Sequence, residues 1–195
     1  MTITSNLRRN SWLILGALMA LLLLLAWPRP LALPDEGRYA EVGRWMLQSG
    51  DYLAPRLDGM PFFHKPPLLH WLQSGVFALL GPSAWTARIV PALHASLMLL
   101  GLYLSMRHFE SETRARQAML ILGSSLGFLI GGQYVNHDML VAAWISTAIW
   151  CMGAAFMHAE KPDTRLALMG FAACALGVLS KGLIGIVLPV SLFTT

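Results

Sequence analysis

Long apolar runs dominate this chain and restrict its fold more than any other feature. Residues 12–27 read WLILGALMALLLLLAW, and further runs follow at about 85–106, 118–133, 138–157, 166–179 and from 182 to the last residue. A hydrocarbon core about 30 Å thick is crossed by roughly 20 apolar residues in a helix. Lipid offers no hydrogen bonds, so a spanning backbone must be a helix or a closed barrel. Barrel strands need alternating segments of about ten residues, and these Leu/Ala/Ile runs do not alternate. Charged residues make up only 12% of the 195, against about one quarter in soluble domains. The fold class is therefore an all-α polytopic membrane protein.

The formal charge of +4 reads as topology and not as nucleic-acid affinity, because the Lys and Arg are scattered through loops. Arg8 and Arg9 precede the first run, and no small-x-small cleavage site stands near LALPDE. The first run is therefore expected to be an uncleaved anchor with a cytoplasmic N-terminus. Residues 28–84 then lie on the far side of the membrane, starting with an extended exit at Pro28, Pro30 and Pro34. Arg107, His108, Arg114 and Arg116 mark a cytoplasmic loop, and 158–165, with Lys161 and Arg165, marks another. Cys151 and Cys174 fall inside runs and read as packing residues. The sixth run stops at Thr195 without a polar tail. With about five and a half spans, the chain reads as the N-terminal part of a larger protein, and little activity is expected of it alone.

Polar chemistry concentrates in the insert DEGRYAEVGRWMLQSGDYLAPRLDGMPFFHKPP, from Asp35 to Pro67. Its first part has helical spacing, with Tyr39, Val42 and Met46 on one stripe and Trp45 beside it. That pattern predicts a helix lying on the membrane interface, closed by Ser49-Gly50-Asp51. Asp58-Gly59 signals a turn. Residues 67–80 are apolar but short and carry His70 and Gln73, so a second interfacial or re-entrant helix is expected.

Asp35 occupies an N-cap position and Glu36 compensates a helix dipole; the same pair also suits a general base or a metal-binding carboxylate. Lys65, stiffened by two prolines, either snorkels to the interface or anchors a phosphate, with Arg38 as a second cation. Asp138, after Asn136 and His137, is a cap or a functional acid at a span boundary. Lys181 either snorkels or faces an anion. The groups at 35–67, 136–138 and 180–182 all fall on one face, opposite the cytoplasm. His64, His70 and His137 lack the regular spacing of metal ligands.

The run DEGRYAEVGRWMLQSGDYLAPRLDGMPFFHKPPLLHWL resembles the first extracytoplasmic loop of the ArnT-like, protein-O-mannosyltransferase-related glycosyltransferases, which have the GT-C fold. The similarity continues through Asp138 and Lys181-Gly182. It implies a GT-C-like bundle with interfacial helices in its first periplasmic loop, sited in a bacterial inner membrane. It implies an inverting enzyme that takes a sugar from a polyprenyl-phosphate carrier and gives it to a periplasmic acceptor. In the ArnT branch the sugar is aminoarabinose and the acceptor a lipid A phosphate; other glycans, lipids or proteins serve elsewhere. Asp35 then matches the essential first-loop acid, and Glu36 and Asp138 are grouped with it as catalytic candidates. Arg38, Lys65 and Lys181 are candidates to hold the carrier phosphate. Where many relatives have Glu before the KP pair, this chain has His64, a candidate ligand for a divalent metal ion. Two other classes compete: a non-catalytic module that binds carrier lipid or assists a partner, and a transporter. Ionisable residues gathered at one surface, with no inverted repeat, count against the transporter.

Overall fold

The computed structural model describes residues 3–27, 29–157 and 162–193. Pro28 of the expected exit, residues 158–161 of the expected second cytoplasmic loop, Lys161 included, and the last two residues of the sixth run lie outside the described residues.

The elements in chain order are α1 (Ile3–Leu25), α2 (Asp35–Ser49), β1 (Arg56–Leu57), β2 (Met60–Pro61), α3 (Leu68–Leu80), α4 (Ala84–Phe109), α5 (Glu112–Ser124), α6 (Leu126–Gly131), α7 (Asp138–Phe156), α8 (Thr164–Lys181) and α9 (Ile184–Ser191). Among the described residues, Arg8–Leu25, Ala84–Phe109, Asp138–Phe156 and Thr164–Lys181 are long and apolar enough to cross a membrane. The chain is an all-α polytopic membrane protein, apart from one small hairpin. In that hairpin β1 and β2 pair antiparallel around Asp58-Gly59. Both turn residues have positive φ, at 51° and 80°, the backbone that a two-residue hairpin loop requires.

One expected span differs in the structure. The run 118–133 is not one helix. Ser125 sits in extended backbone (φ −72°, ψ 130°), and its hydroxyl accepts the Phe128 N–H to start α6. A serine side chain competes for backbone donors and so favours helix starts over helix interiors. Beyond Gly182 the described residues form α9, of 8 residues.

Packing forms distinct cores. Under the polar end, Tyr39, Val42 and Met46 of α2 meet Leu69 and Phe77 of α3, Ala87 and Val90 of α4, and Val135 and Leu140. The expected stripe of α2 is real, but it faces protein: Val42 and Met46 are fully buried. A second core joins α1, α4, α5 and α6 through Leu15, Leu22, Leu99, Tyr103, Met119 and Phe128. α7 packs along α8 through Ala148, Met152, Ala173 and Cys174; both cysteines are free thiols. α8 and α9 cross backbone to backbone. A Cβ on Gly185 would stand 2.2 Å from the Gly177 carbonyl carbon.

Candidate functional site

Two adjacent carboxylates open α2, and the helix turns them in different directions. Successive residues on a helix point about 100° apart. Asp35 is turned outward, half exposed, and accepts a 2.5 Å hydrogen bond from Arg38 Nη2. It does not cap the helix: Pro34 holds the N-cap position and no side chain closes the first turn. Glu36 points inward and is fully buried.

Glu36 sits in a dense set of donors. Arg88 of α4 meets it in a fork, Nε to Oε1 at 3.0 Å and Nη2 to Oε2 at 2.8 Å. Arg29 donates to both oxygens, at 2.6 and 3.3 Å. The backbone N–H groups of Ala32 and Val135 add bonds of 2.7 and 3.1 Å. Burial alone would raise the carboxyl pKa, but the hydrogen bonds from Arg88, Arg29 and the two backbone amides outweigh it and hold the group at about 2. Arg88 is itself fully buried and donates to the carbonyls of Arg29 and Pro30 at 2.7 and 2.8 Å. With both oxygens engaged, Glu36 cannot take a proton from a substrate, so Asp35 is the open acid of the pair.

Asp138 opens α7 and is exposed at 60% of its side chain. It too fails to cap its helix, since His137 holds the N-cap position. Instead Asn136 braces it, with Nδ2 donating to Oδ2 and Oδ1 accepting its N–H, both at 2.9 Å. Lys181, the last residue of α8, donates to Oδ1. Lys65 is half-buried, and no ion pair engages it among the described residues. It lines an open cleft of about 320 Å³ with Leu53, Pro55, Phe63, His64, Pro66 and Pro67.

An aromatic and imidazole cluster joins these groups. The Arg38 guanidinium lies over the Tyr39 and Phe62 rings, at 5.2 and 5.9 Å. Tyr39 meets His137 edge-on at 4.8 Å, and His137 meets His70 at 5.4 Å. Both histidines are buried. Burial pushes the His70 imidazolium down to about 4, with a partial offset from the Tyr39 backbone. Burial and the neighbouring His70 and Lys65 push His137 to about 3. Neutral imidazoles thus floor the site, and Lys65 is felt at His137 one residue from Asp138. The structure brings Asp35, Arg38, Lys65, Asp138 and Lys181 to this one end of the bundle.

His64 stacks on Phe62 at 5.0 Å and is exposed. Among the described residues no three His, Cys, Asp or Glu side chains converge to hold a metal ion. His64 offers one imidazole and no companions, so the residues described do not fit a metal centre. Sequence reasoning passed over Arg88 and Arg29. Arg88 did carry a signal, as the single charged residue of the run 85–106, because a charge inside a span marks a partner or a function.

A family model described as dolichyl-phosphate-mannose-protein mannosyltransferase matches residues 64–194. The chain is 33% identical over 184 residues to the undecaprenyl phosphate-alpha-4-amino-4-deoxy-L-arabinose arabinosyl transferase of Pseudomonas savastanoi pv. phaseolicola, covering 89% of this chain and 34% of the relative. The Pseudomonas aeruginosa PAO1 enzyme of the same name is 33% identical, covering 81% of this chain and 29% of the relative. The chain thus spans about a third of the length of the curated relatives it matches. Crystal structures of ArnT from Cupriavidus metallidurans superpose on it. The apo form has a TM-score of 0.82 at 26% identity, covering 95% of this chain and 36% of that one. The form bound to undecaprenyl phosphate has a TM-score of 0.85 at 27% identity, covering 93% and 35%. With the family model matched over most of its length and the ArnT fold reproduced, this chain belongs to the dolichyl-phosphate-mannose-protein mannosyltransferase family.

Proposed function

We propose that this chain forms the acid-bearing, carrier-facing wall of a glycosyltransferase that moves a sugar from a polyprenyl phosphate to a lipid or glycan acceptor. The observation that carries the reading is the gathering of Asp35, Arg38, Lys65, Asp138 and Lys181 around one aromatic floor at one end of the bundle. Likeness to a structure bound to undecaprenyl phosphate supports a carrier of that class, and the names of the relatives support 4-amino-4-deoxy-L-arabinose as the sugar.

In the transfer, the bond between the anomeric carbon and the carrier phosphate oxygen breaks. The phosphate leaves with the electron pair, while an acceptor oxygen bonds the anomeric carbon from the opposite face and inverts it. Lys65, in no ion pair among the described residues and beside an open cleft, meets the developing phosphate charge, with Arg38 and Lys181 as further cations. Fixed cations in a partly dry site stabilise such charge strongly. A hydroxyl acceptor loses its proton to Asp35 or Asp138; a phosphate acceptor is already anionic and needs no base.

Basic Arg8 and Arg9 open α1, and Arg107 closes α4, both at the ends remote from the site. By the positive-inside rule this supports a cytoplasmic N-terminus and a site on the periplasmic side of the inner membrane. The test is sugar transfer from undecaprenyl-phosphate-linked aminoarabinose by the chain as its gene encodes it, compared with Asp35→Asn. Transfer that falls at least 100-fold in the variant supports the reading. Equal transfer in both removes Asp35 from the reaction, and carrier binding without transfer in either assigns the chain to a non-catalytic role.

A further inference from the structure

We propose that Glu36, Arg88 and Arg29 form a positioning device for the transfer reaction, holding the carboxylates of Asp35 and Asp138 in one frame. The proposal rests on the glycosyl-transfer reading above. None of the three is placed to touch the reacting atoms. Glu36 and Arg88 are fully buried, and every oxygen of the Glu36 carboxylate is engaged.

What the group does have is reach. Arg88 Nη1 bonds the Arg29 carbonyl and Nη2 the Pro30 carbonyl, which fixes the chain leaving α1. Glu36 adjoins Asp35 on the first turn of α2. Its Oε1 accepts the Val135 N–H, three residues before Asp138, and Arg29 Nη2 donates to the Gln133 carbonyl at 3.2 Å. One carboxylate therefore ties the start of α2, the start of α4 and the segment leading into α7. Without it, Asp35 and Asp138 stand on separate elements.

A buried ion pair is often replaced by packed apolar groups with no loss of stability, so its presence points to a demand for fixed geometry. The demand is specific to an anion. A Gln at position 36 would turn an NH2 group toward guanidinium or amide donors, and the three bonds that oxygen accepts would be lost. Misplacing a reacting group by about 1 Å costs on the order of 100-fold in rate, so a device that locks two acids acts on kcat.

The experiment uses the chain as its gene encodes it, in native-like membranes, with undecaprenyl-phosphate-linked aminoarabinose as donor. It compares the unmodified chain with Glu36→Gln, Arg88→Lys, Arg29→Gln and Asp35→Asn. The readouts are kcat, donor KM and backbone hydrogen exchange. Positioning predicts that Glu36→Gln lowers kcat about 10- to 100-fold with donor KM within about threefold. It also predicts that exchange rises at 31–38 and 133–138 while α7 and α8 keep their protection. Arg29→Gln, at a half-exposed residue, is the milder variant and shows the same split at smaller size, rescued by Arg29→Lys. Unchanged kcat in Glu36→Gln beside a dead Asp35→Asn overturns the positioning role and leaves the transfer reading standing. Exchange that rises across all helices in both Glu36→Gln and Arg29→Gln assigns the group to stability and also overturns it. No transfer by the unmodified full gene product, or full transfer by its Asp35→Asn variant, overturns the underlying reading, and the proposal with it.

Discussion

Gly185→Ala should be among the most damaging single-methyl additions in this chain. The new Cβ would lie 2.2 Å from the Gly177 carbonyl carbon, 2.5 Å from the Val178 nitrogen and 2.6 Å from the Gly177 oxygen. Carbon atoms prefer about 3.5–4.0 Å, so α8 and α9 must part by more than about 1 Å. All three obstacles are backbone, so no rotamer change relieves the clash. Overpacking of this kind costs about 1–3 kcal/mol, and a forced helix separation belongs at the upper end. The reciprocal Gly177→Ala meets its nearest atom at 3.0 Å. It also gains about 1 kcal/mol of helix propensity, which offsets much of its strain. For a chain of this size, 1 kcal/mol shifts Tm by about 2–4 °C. Thermal unfolding in detergent should therefore place Gly185→Ala about 5–10 °C below the parent, with Gly177→Ala within about 3 °C of it. The double variant should be non-additive, because both methyls enter one contact. A Gly185→Ala protein as stable as the parent, or a Gly177→Ala protein worse than it, would refute the reasoning.

Acid should weaken the fold in two stages. His70 has a folded pKa lowered from 6.5 to about 4, so its contribution, about 3 kcal/mol at 1.36 per unit, is complete above pH 6.5 and is lost as pH falls toward 4. Glu36, lowered from 4.5 to about 2, contributes a similar about 3 kcal/mol above pH 4.5, lost as pH falls through its folded value. Melting temperatures scanned from pH 8 to pH 3 should fall with an onset near 6.5, and His70→Phe should flatten only part of the upper slope, because His137, lowered from 6.5 to about 3, acts over the same range. Lys65→Gln should weaken binding of undecaprenyl phosphate about 10- to 100-fold, the worth of one charge-assisted contact; titration calorimetry showing unchanged affinity would remove Lys65 from the carrier site. Asp138→Asn should free Lys181 from its ion pair at a cost to stability under about 1 kcal/mol, since the acid is exposed. Unfolding in detergent checks that value.

Much of this arrangement is legible in local pattern. The amphipathic stripe of α2, its stop at Ser49-Gly50, the Asp58-Gly59 turn and the apolar runs of α1, α4, α7 and α8 all follow from spacing and turn chemistry. So does the choice of Asp35, Arg38, Lys65, Asp138 and Lys181, which stand out as charges at the edges of greasy segments. The cap readings of Asp35 and Asp138 fail for a local reason: Pro34 and His137 already have helical backbone, which moves each cap one residue upstream. The role of Glu36 is not legible because its partner is 52 residues away, and no periodicity encodes such a pairing. The histidine floor is hidden for the same reason, since His70 and His137 meet only after α3 has packed beside the start of α7. The break at Ser125 shows the limit of hydropathy, which measures apolar content and not helix continuity.

The Arg88 fork carries a consequence for how the protein is made. A lone guanidinium in a helix entering lipid is costly, by about 2.5–3.5 kcal/mol at the centre of a span. Yet Arg29, Pro30 and Glu36, the groups that receive this one, all precede it in the sequence. By the time α4 is synthesised, the groups that receive its guanidinium are already part of the chain. Every group that neutralises or accepts from Arg88 thus precedes it in the chain, so the charge of α4 needs no later element to find its partners. Val135 joins last, when α7 arrives, so the acid that draws α4 into place becomes the hinge pin for the segment after it.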